Sequence, residues 1–147
     1  MKVYIDSSCL NRIFDDQSQP RIFFESIAMG IVFILIDNQE IEFVSSDALN
    51  YEMEKNPFLD RKEFVRFYLE KAKTNLELNE SILKRSIDIE KMKIKGIDAI
   101  HVSLSELNSI DYFLTVDDGI LKNYSGSLKI LNPVNFISQI TTGEIKL

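Results

Sequence analysis

Along the whole chain, short runs of β-branched and aromatic residues alternate with longer segments whose apolar residues recur at helical spacing. This alternation leaves few solutions. Each strand has to return through a helix to a neighbour running the same way, and both faces of the resulting sheet must then be covered. Strands are expected at 3–5, 41–44, 112–115 and 128–131, with 75–78 as a short edge strand. Helical spacing covers 7–14, a helix opened by Pro20 and running to 36, and one from the caps Ser45, Ser46 and Asp47 to Asn56, where Pro57 stops it. Further helices are expected at 60–71, with Phe64, Phe67 and Tyr68 on one face, and at 80–92, with Ile82, Ile89 and Met92 inward. Gly96 breaks the pattern before a helix striped by Ile97, Ile100, His101, Leu104 and Leu107, and shorter helices follow at 117–122 and, after Pro133, at 134–140. The pattern predicts a three-layer α/β/α fold around a mostly parallel central sheet of about four to five strands. A length of 147 residues and a 45% hydrophobic content suit a single domain spanning 1–147.

Composition narrows the function. One cysteine, Cys9, and one histidine, His101, can form neither an internal disulfide nor a Cys/His zinc site, and the expected compartment is the cytoplasm. The apolar run 27–36 falls short of the roughly 20 residues of a membrane span and reads as a buried helix face. Residues 1–6 lack the cationic and apolar segments of a secretory leader. A formal charge of −6 argues against a broad basic surface that coats nucleic acid, so RNA, if it is the partner, is engaged locally. The one dense basic segment is Lys84, Arg85, Lys91, Lys93 and Lys95, which also reads as a solvated helix face.

In open parallel sheets, sites form at the carboxyl ends of strands. Asp6 directly follows the first strand and Asp117 lies two residues beyond the 112–115 strand, while Glu52 and Asp98 lie on helices. Each has an ordinary alternative role: Asp6, Asp98 and Asp117 stand where helices begin and would cap free N–H groups, and Glu52 would sit on a solvated face. Brought together, the four would repel one another unless a cation sat between them, and hard oxygen ligands select Mg²⁺ or Mn²⁺. A divalent ion with bound water beside a phosphate is what phosphodiester hydrolysis needs.

The segments Val3-Tyr4-Ile5-Asp6-Ser7-Ser8, 46–52, Gly96-Ile97-Asp98-Ala99-Ile100-His101 and Tyr112-Phe113-Leu114-Thr115-Val116-Asp117-Asp118 resemble, in order, the four acidic motifs of PIN domains, and the resemblance covers the chain. It is similar to the stand-alone prokaryotic members that include VapC-type toxins. The resemblance implies a metal-dependent endoribonuclease that leaves a 5′-phosphate, with Asp6, Glu52, Asp98 and Asp117 as catalytic metal ligands. It also implies a homodimer and a small antitoxin protein as partner. Ser8 and Thr115 match hydroxyl positions that orient the acids, Asn11 is a further candidate for the cleft, and Asp118 is a candidate fifth ligand or a helix-start charge. Position 7 is Ser where the family most often has Thr, which keeps the hydroxyl. His101 reads as a packed or supporting histidine rather than a catalytic base.

Other readings fare worse. A haloacid-dehalogenase-like phosphatase needs a second aspartate where Ser8 stands, and a receiver domain needs a lysine before the late proline, where Asn132 stands. No phosphate-cradling glycine loop is present. The alternative from another class is a non-catalytic PIN-fold interaction or RNA-binding domain, in which the acids persist as caps. In that case the helices at 20–36 and 60–71 bind a partner through Phe64, Phe67 and Tyr68.

Overall fold

The computed structural model describes residues 1–147. Five strands, β1 (Lys2–Ile5), β2 (Glu42–Ser46), β3 (Asn75–Leu76), β4 (Tyr112–Leu114) and β5 (Ile130–Leu131), form one sheet in the order β3-β2-β1-β4-β5. Every pairing is parallel, with Val3 beside both Phe43 and Tyr112 and Ile5 beside Leu114. The helices are α1 (Ser7–Leu10), α2 (Pro20–Asp37), α3 (Asp47–Lys55), α4 (Leu59–Lys71), α5 (Glu80–Glu90), α6 (Ile97–Leu107), α7 (Asp118–Asn123) and α8 (Pro133–Thr141). They cover the sheet on both sides, giving the expected three-layer α/β/α fold.

The order of strands decides where a site can form. The chain moves outward from β1 to β2 and β3, then crosses back to add β4 and β5 on the other side of β1. Helices therefore diverge at the carboxyl ends of β1 and β4, and that switch point is where a doubly wound sheet opens a crevice. Asp6 and Asp117 follow those two strands.

β1 runs through the middle of the core, and Val3, Tyr4 and Ile5 are fully buried. α2 packs on α8, α5 on α6, and α3 touches both α4 and α6. A ring stack of Phe33 on Tyr68, with centroids 4.4 Å apart, ties α2 to α4. No helix is long and apolar enough to cross a membrane.

Three local expectations change. The 7–14 segment is not one helix: α1 ends after Leu10, and Arg12–Phe14 forms a separate 3-10 turn beyond Asn11. The 27–36 run is buried on one side only, where Ala28, Met29, Val32, Phe33 and Ile36 enter the core. Ile27, Ile31 and Ile34 face outward at 47%, 39% and 57% exposure, because a helix apolar all round still shows only one face to one sheet. The aromatic face of α4 divides as well: Tyr68 is core, Phe64 packs partly against it and Phe67 is exposed.

Candidate active site

The carboxyl end of β1 delivers Asp6 into a buried position, 3% exposed, where both carboxylate oxygens are held. Its Oδ1 accepts from Ser8 Oγ at 2.6 Å and from the Cys9 amide at 3.0 Å, which caps α1, and Oδ2 accepts from Thr115 Oγ1. The Thr115 hydroxyl in turn accepts the Asp117 amide at 3.0 Å, so one oxygen links the first and the last acidic segments across the β1–β4 pair. Ser8 Oγ also receives the Val116 amide at 3.4 Å. The two hydroxyls fix the spacing of Asp6 and Asp117.

Asp117 caps α7 through Oδ1, which accepts the Ile120 amide at 3.0 Å, and Oδ2 takes no such bond. The cap therefore leaves Oδ2 free of protein partners. Gly119 keeps the space that this requires: a Cβ there would stand 2.9 Å from Asp117 Oδ1. On the outer side of the same loop, Arg21 donates to the Val116 carbonyl at 3.0 Å and grips Asp118 with two nitrogens at 2.7 and 2.8 Å. Asp118 is thus committed to Arg21 and largely in solvent, apart from the other acids.

Glu52 reaches the site from α3. Its Oε1 accepts Ser7 Oγ at 2.7 Å and the His101 Nε2 proton. Behind that ring runs a buried chain: the Leu49 amide donates to Ser46 Oγ at 3.0 Å, Ser46 lies 2.7 Å from the Tyr4 hydroxyl, and Tyr4 bonds His101 Nδ1. Burial pushes the Tyr4 phenol well above its ordinary range, so it keeps its proton and donates to Nδ1. That assigns the Nε2–H tautomer to His101 and points its proton at Glu52. Burial alone would raise the Glu52 carboxyl, but the His101 bond, that ring's charge when protonated and the Ser7 hydroxyl outweigh it and hold it below its ordinary value.

Asp98 lies in the first turn of α6, which starts at Gly96 with φ +58°, a backbone state that a Cβ would strain. Burial, then the charges of Asp6 and Asp117 and more weakly that of Glu52, push its carboxyl up to about 6, with His101 acting the other way. Asp98 therefore feels the other three acids. No lysine or arginine pairs with any of the four; the one side-chain nitrogen that bonds a carboxylate of the group is that of the His101 ring on Glu52. No three acidic, histidine or cysteine side chains are drawn into a ready-made coordination shell, so the cluster is open rather than a cage. Its donors are carboxylate oxygens with uncompensated charge, and that donor set fits a hard divalent cation.

Asn11 ends α1, where its Nδ2 donates to the Ser7 carbonyl at 2.9 Å and its Oδ1 is buried without a partner. It lines a cavity of about 490 Å³ together with Ser7 and Glu52, so Glu52, alone of the four acids, opens into a groove. Two cavities of similar volume lie around Met1 at the opposite ends of the strands, away from these acids. The basic segment noted in the sequence is partly consumed, with Arg85 paired to Glu106 at 2.6 Å and Lys91 to Asp88 at 3.4 Å.

Sequence reasoning did not anticipate the Tyr4 and Ser46 hydroxyls behind His101, Arg21 or the Ser7–Glu52 bond. Each depends on neighbours far apart in the chain. A buried Glu25, 2% exposed, was equally silent, although Arg12 holds it at 2.7 Å and Arg21 at 3.2 Å.

Among proteins with curated descriptions, none matches this chain in sequence. A toxin-antitoxin complex from Klebsiella pneumoniae contains a chain that superimposes with a TM-score of 0.56 at 17% identity, covering 89% of this chain and 97% of that one. VapBC2 from Rickettsia felis, bound to a DNA fragment from its promoter, gives a TM-score of 0.57 at 11% identity, covering 90% and 98%. At such identities the likeness speaks for the fold. The PIN domain family model matches residues 3–126, well over half of the chain and all four acids, and the chain belongs to the PIN domain family.

Proposed function

We propose that this protein is a metal-dependent endoribonuclease that hydrolyses RNA phosphodiester bonds. The observation that carries the reading is the convergence of four carboxylates, without a lysine or arginine partner, at the switch point of the sheet, with Asp98 driven up to about 6 by burial and its acidic neighbours. Membership of a family of nucleases supports it.

Asp6, Asp98 and Asp117 would hold Mg²⁺ or Mn²⁺, with Glu52 completing the set directly or through water. Bound there, the cation lowers the pKa of a water and offsets charge developing on the phosphate. The chain's own residues do the positioning. Ser8 and Thr115 fix Asp6, Thr115 and Arg21 fix the loop bearing Asp117, and Ser7 with the His101–Tyr4–Ser46 chain fixes Glu52, as supporting bonds do around metal ligands. Water attacks phosphorus in line, the P–O3′ bond breaks, and the products carry a 5′-phosphate and a 3′-hydroxyl. The test is cleavage of a mixed panel of RNAs with Mg²⁺ or Mn²⁺ against a chelator control. Activity should require the cation and vanish in Asp98→Asn; intact RNA across the panel would remove the reading.

The same reading extends to a toxin role. One of the similar solved structures is described as a toxin-antitoxin complex and the other as VapBC2 bound to promoter DNA. The outward face of α2 exposes Phe23, Phe24, Ile27, Ile31 and Ile34, an apolar surface suited to a protein partner. We assign that partner as an antitoxin or a second copy in a homodimer, the chain forming one cytoplasmic domain. Growth arrest on expression, relieved by coexpressing the product of an adjacent gene, checks the assignment. The same surface favours a purely interaction-based role should no cleavage be found.

A further inference from the structure

The acidic cluster explains how a phosphate could be cut but not what holds the rest of the strand. The groove into which Glu52 and Ser7 open runs beneath the α3–α4 turn, and its other walls include Tyr51, Lys55, Phe58 and Arg61. Two aromatic side chains stand more than half exposed there, Tyr51 at 59% and Phe58 at 57%. Each carries a cation: Lys55 Nζ lies 5.5 Å from the Tyr51 centroid and the Arg61 guanidinium 4.9 Å from that of Phe58. Lys55 belongs to no ion pair. Arg61 makes one 3.1 Å bond to the Phe14 carbonyl and a loose 3.9 Å approach to Asp15, which leaves most of its five donors free.

We infer that this groove is a subsite for single-stranded RNA flanking the cut phosphate, in which Tyr51 and Phe58 stack nucleobases while Lys55 and Arg61 meet the adjoining phosphates. The choice of ligand rests on the nuclease reading above. A base stacked on a ring brings its own phosphate within reach of the cation over that ring, and a peptide has no such repeat of planar face and anion. Of the four carboxylates Glu52 lines the groove, so a strand seated in it passes the edge of the acidic cluster.

The chain contains no tryptophan, so Phe58→Trp and Tyr51→Trp each install a lone fluorescent reporter in the groove. With a chelator present to prevent cleavage, titration with single-stranded oligoribonucleotides of each base should quench both reporters saturably. In the full chain, Tyr51→Ala and Phe58→Ala should each weaken binding about tenfold. Lys55→Gln should lower the slope of log affinity against log salt by roughly 0.7, a readout that simple loss of packing would not move. All these side chains are largely solvent-exposed, apart from the half-buried Arg61, and melting curves of the substituted proteins check that folding is intact. Unquenched emission from both reporters, with an RNA that the wild-type chain cleaves in Mn²⁺, overturns the subsite and leaves the nuclease reading standing. Saturable quenching with an RNA that is never cleaved supports the subsite and removes the nuclease reading. A response confined to a synthetic acidic amphipathic peptide, with none to RNA, overturns the proposal in favour of a protein occupant.

Discussion

Asp98→Asn should stabilise the metal-free protein and at the same time abolish its stabilisation by a divalent cation. The folded protein holds the Asp98 proton up to about pH 6, against an ordinary value of 3.8, because ionisation adds charge to a half-buried group beside Asp6 and Asp117. A raised carboxyl means that the folded state binds more protons than the unfolded chain between those two values. The cost is therefore absent below 3.8, grows as pH rises through 6 and is fully present above it. The gap corresponds to about 3 kcal/mol, which partial solvent exposure reduces to about 1–2 kcal/mol. At this chain length that is a rise in Tm of roughly 3–6 °C for Asp98→Asn near pH 7.5 with a chelator, fading at about pH 4. Saturating Mn²⁺ should reverse the order, since a ligand at about a hundred times its Kd adds about 2.7 kcal/mol to the wild type and little to the variant. Differential scanning fluorimetry over pH, with and without Mn²⁺, reads both effects. A variant that melts below the wild type in chelator near pH 7.5, or a difference that does not change with pH, would refute the argument from charge crowding.

Glu52→Gln tests the opposite sign. Its lowered carboxyl contributes stability that is present above the ordinary 4.5 and lost as pH falls through the folded value, so the substitution should cost roughly 1 kcal/mol near pH 7 and much less near pH 4, measured by urea denaturation. Tyr4→Phe leaves His101 Nδ1 unpartnered at a position 1% exposed, and should cost about 1–3 kcal/mol in the same assay. Glu25→Ala strips Arg12 of its buried partner and should lower stability by about 3–5 kcal/mol, read as a fall in Tm of more than about 6 °C. Gly119→Ala should leave Tm nearly unchanged but displace Asp117 Oδ1, so that cleavage and the Mn²⁺-induced rise in Tm fall together.

The fold was readable because its signals are local and repeated. Helix starts at Pro20, Ser46 and Pro133 and the stop at Pro57 depend on residues next to one another, and the alternation of strand and helix then leaves little choice of topology. What failed was local periodicity applied to apolar runs. Helix α2 is apolar around most of its circumference, so the sequence cannot say which side meets the sheet, and Ile27, Ile31 and Ile34 turned outward. The acids of the site were visible because strand ends and helix starts predict where carboxylates can gather. Two of their supports, Ser8 and Thr115, were named through the family resemblance, and of these only Ser8 lies beside its acid in sequence. The bond from Ser7 to Glu52 spans 45 positions and that from Tyr4 to His101 spans 97, and no spacing rule connects residues so far apart.

The net charge of −6 looked like an obstacle to binding a polyanion, and the placement of the cations changes that judgement. Arg12 is spent on the buried Glu25 and on Asp15, while Arg21, at the surface, binds Glu25 and Asp118 and braces the loop that carries Asp117; neither pairs with the four acids. The centre of the crevice is left negative by construction. An unscreened phosphate is repelled there, while Lys55 and Arg61 attract it only at the margin. On the nuclease reading, strand and cation therefore have to bind with positive coupling: neutralising the acids removes the repulsion that the strand meets, and by linkage a seated strand tightens the cation by the same factor. An acidic chain then suits a nuclease whose margins hold RNA weakly without the cation and more tightly with it.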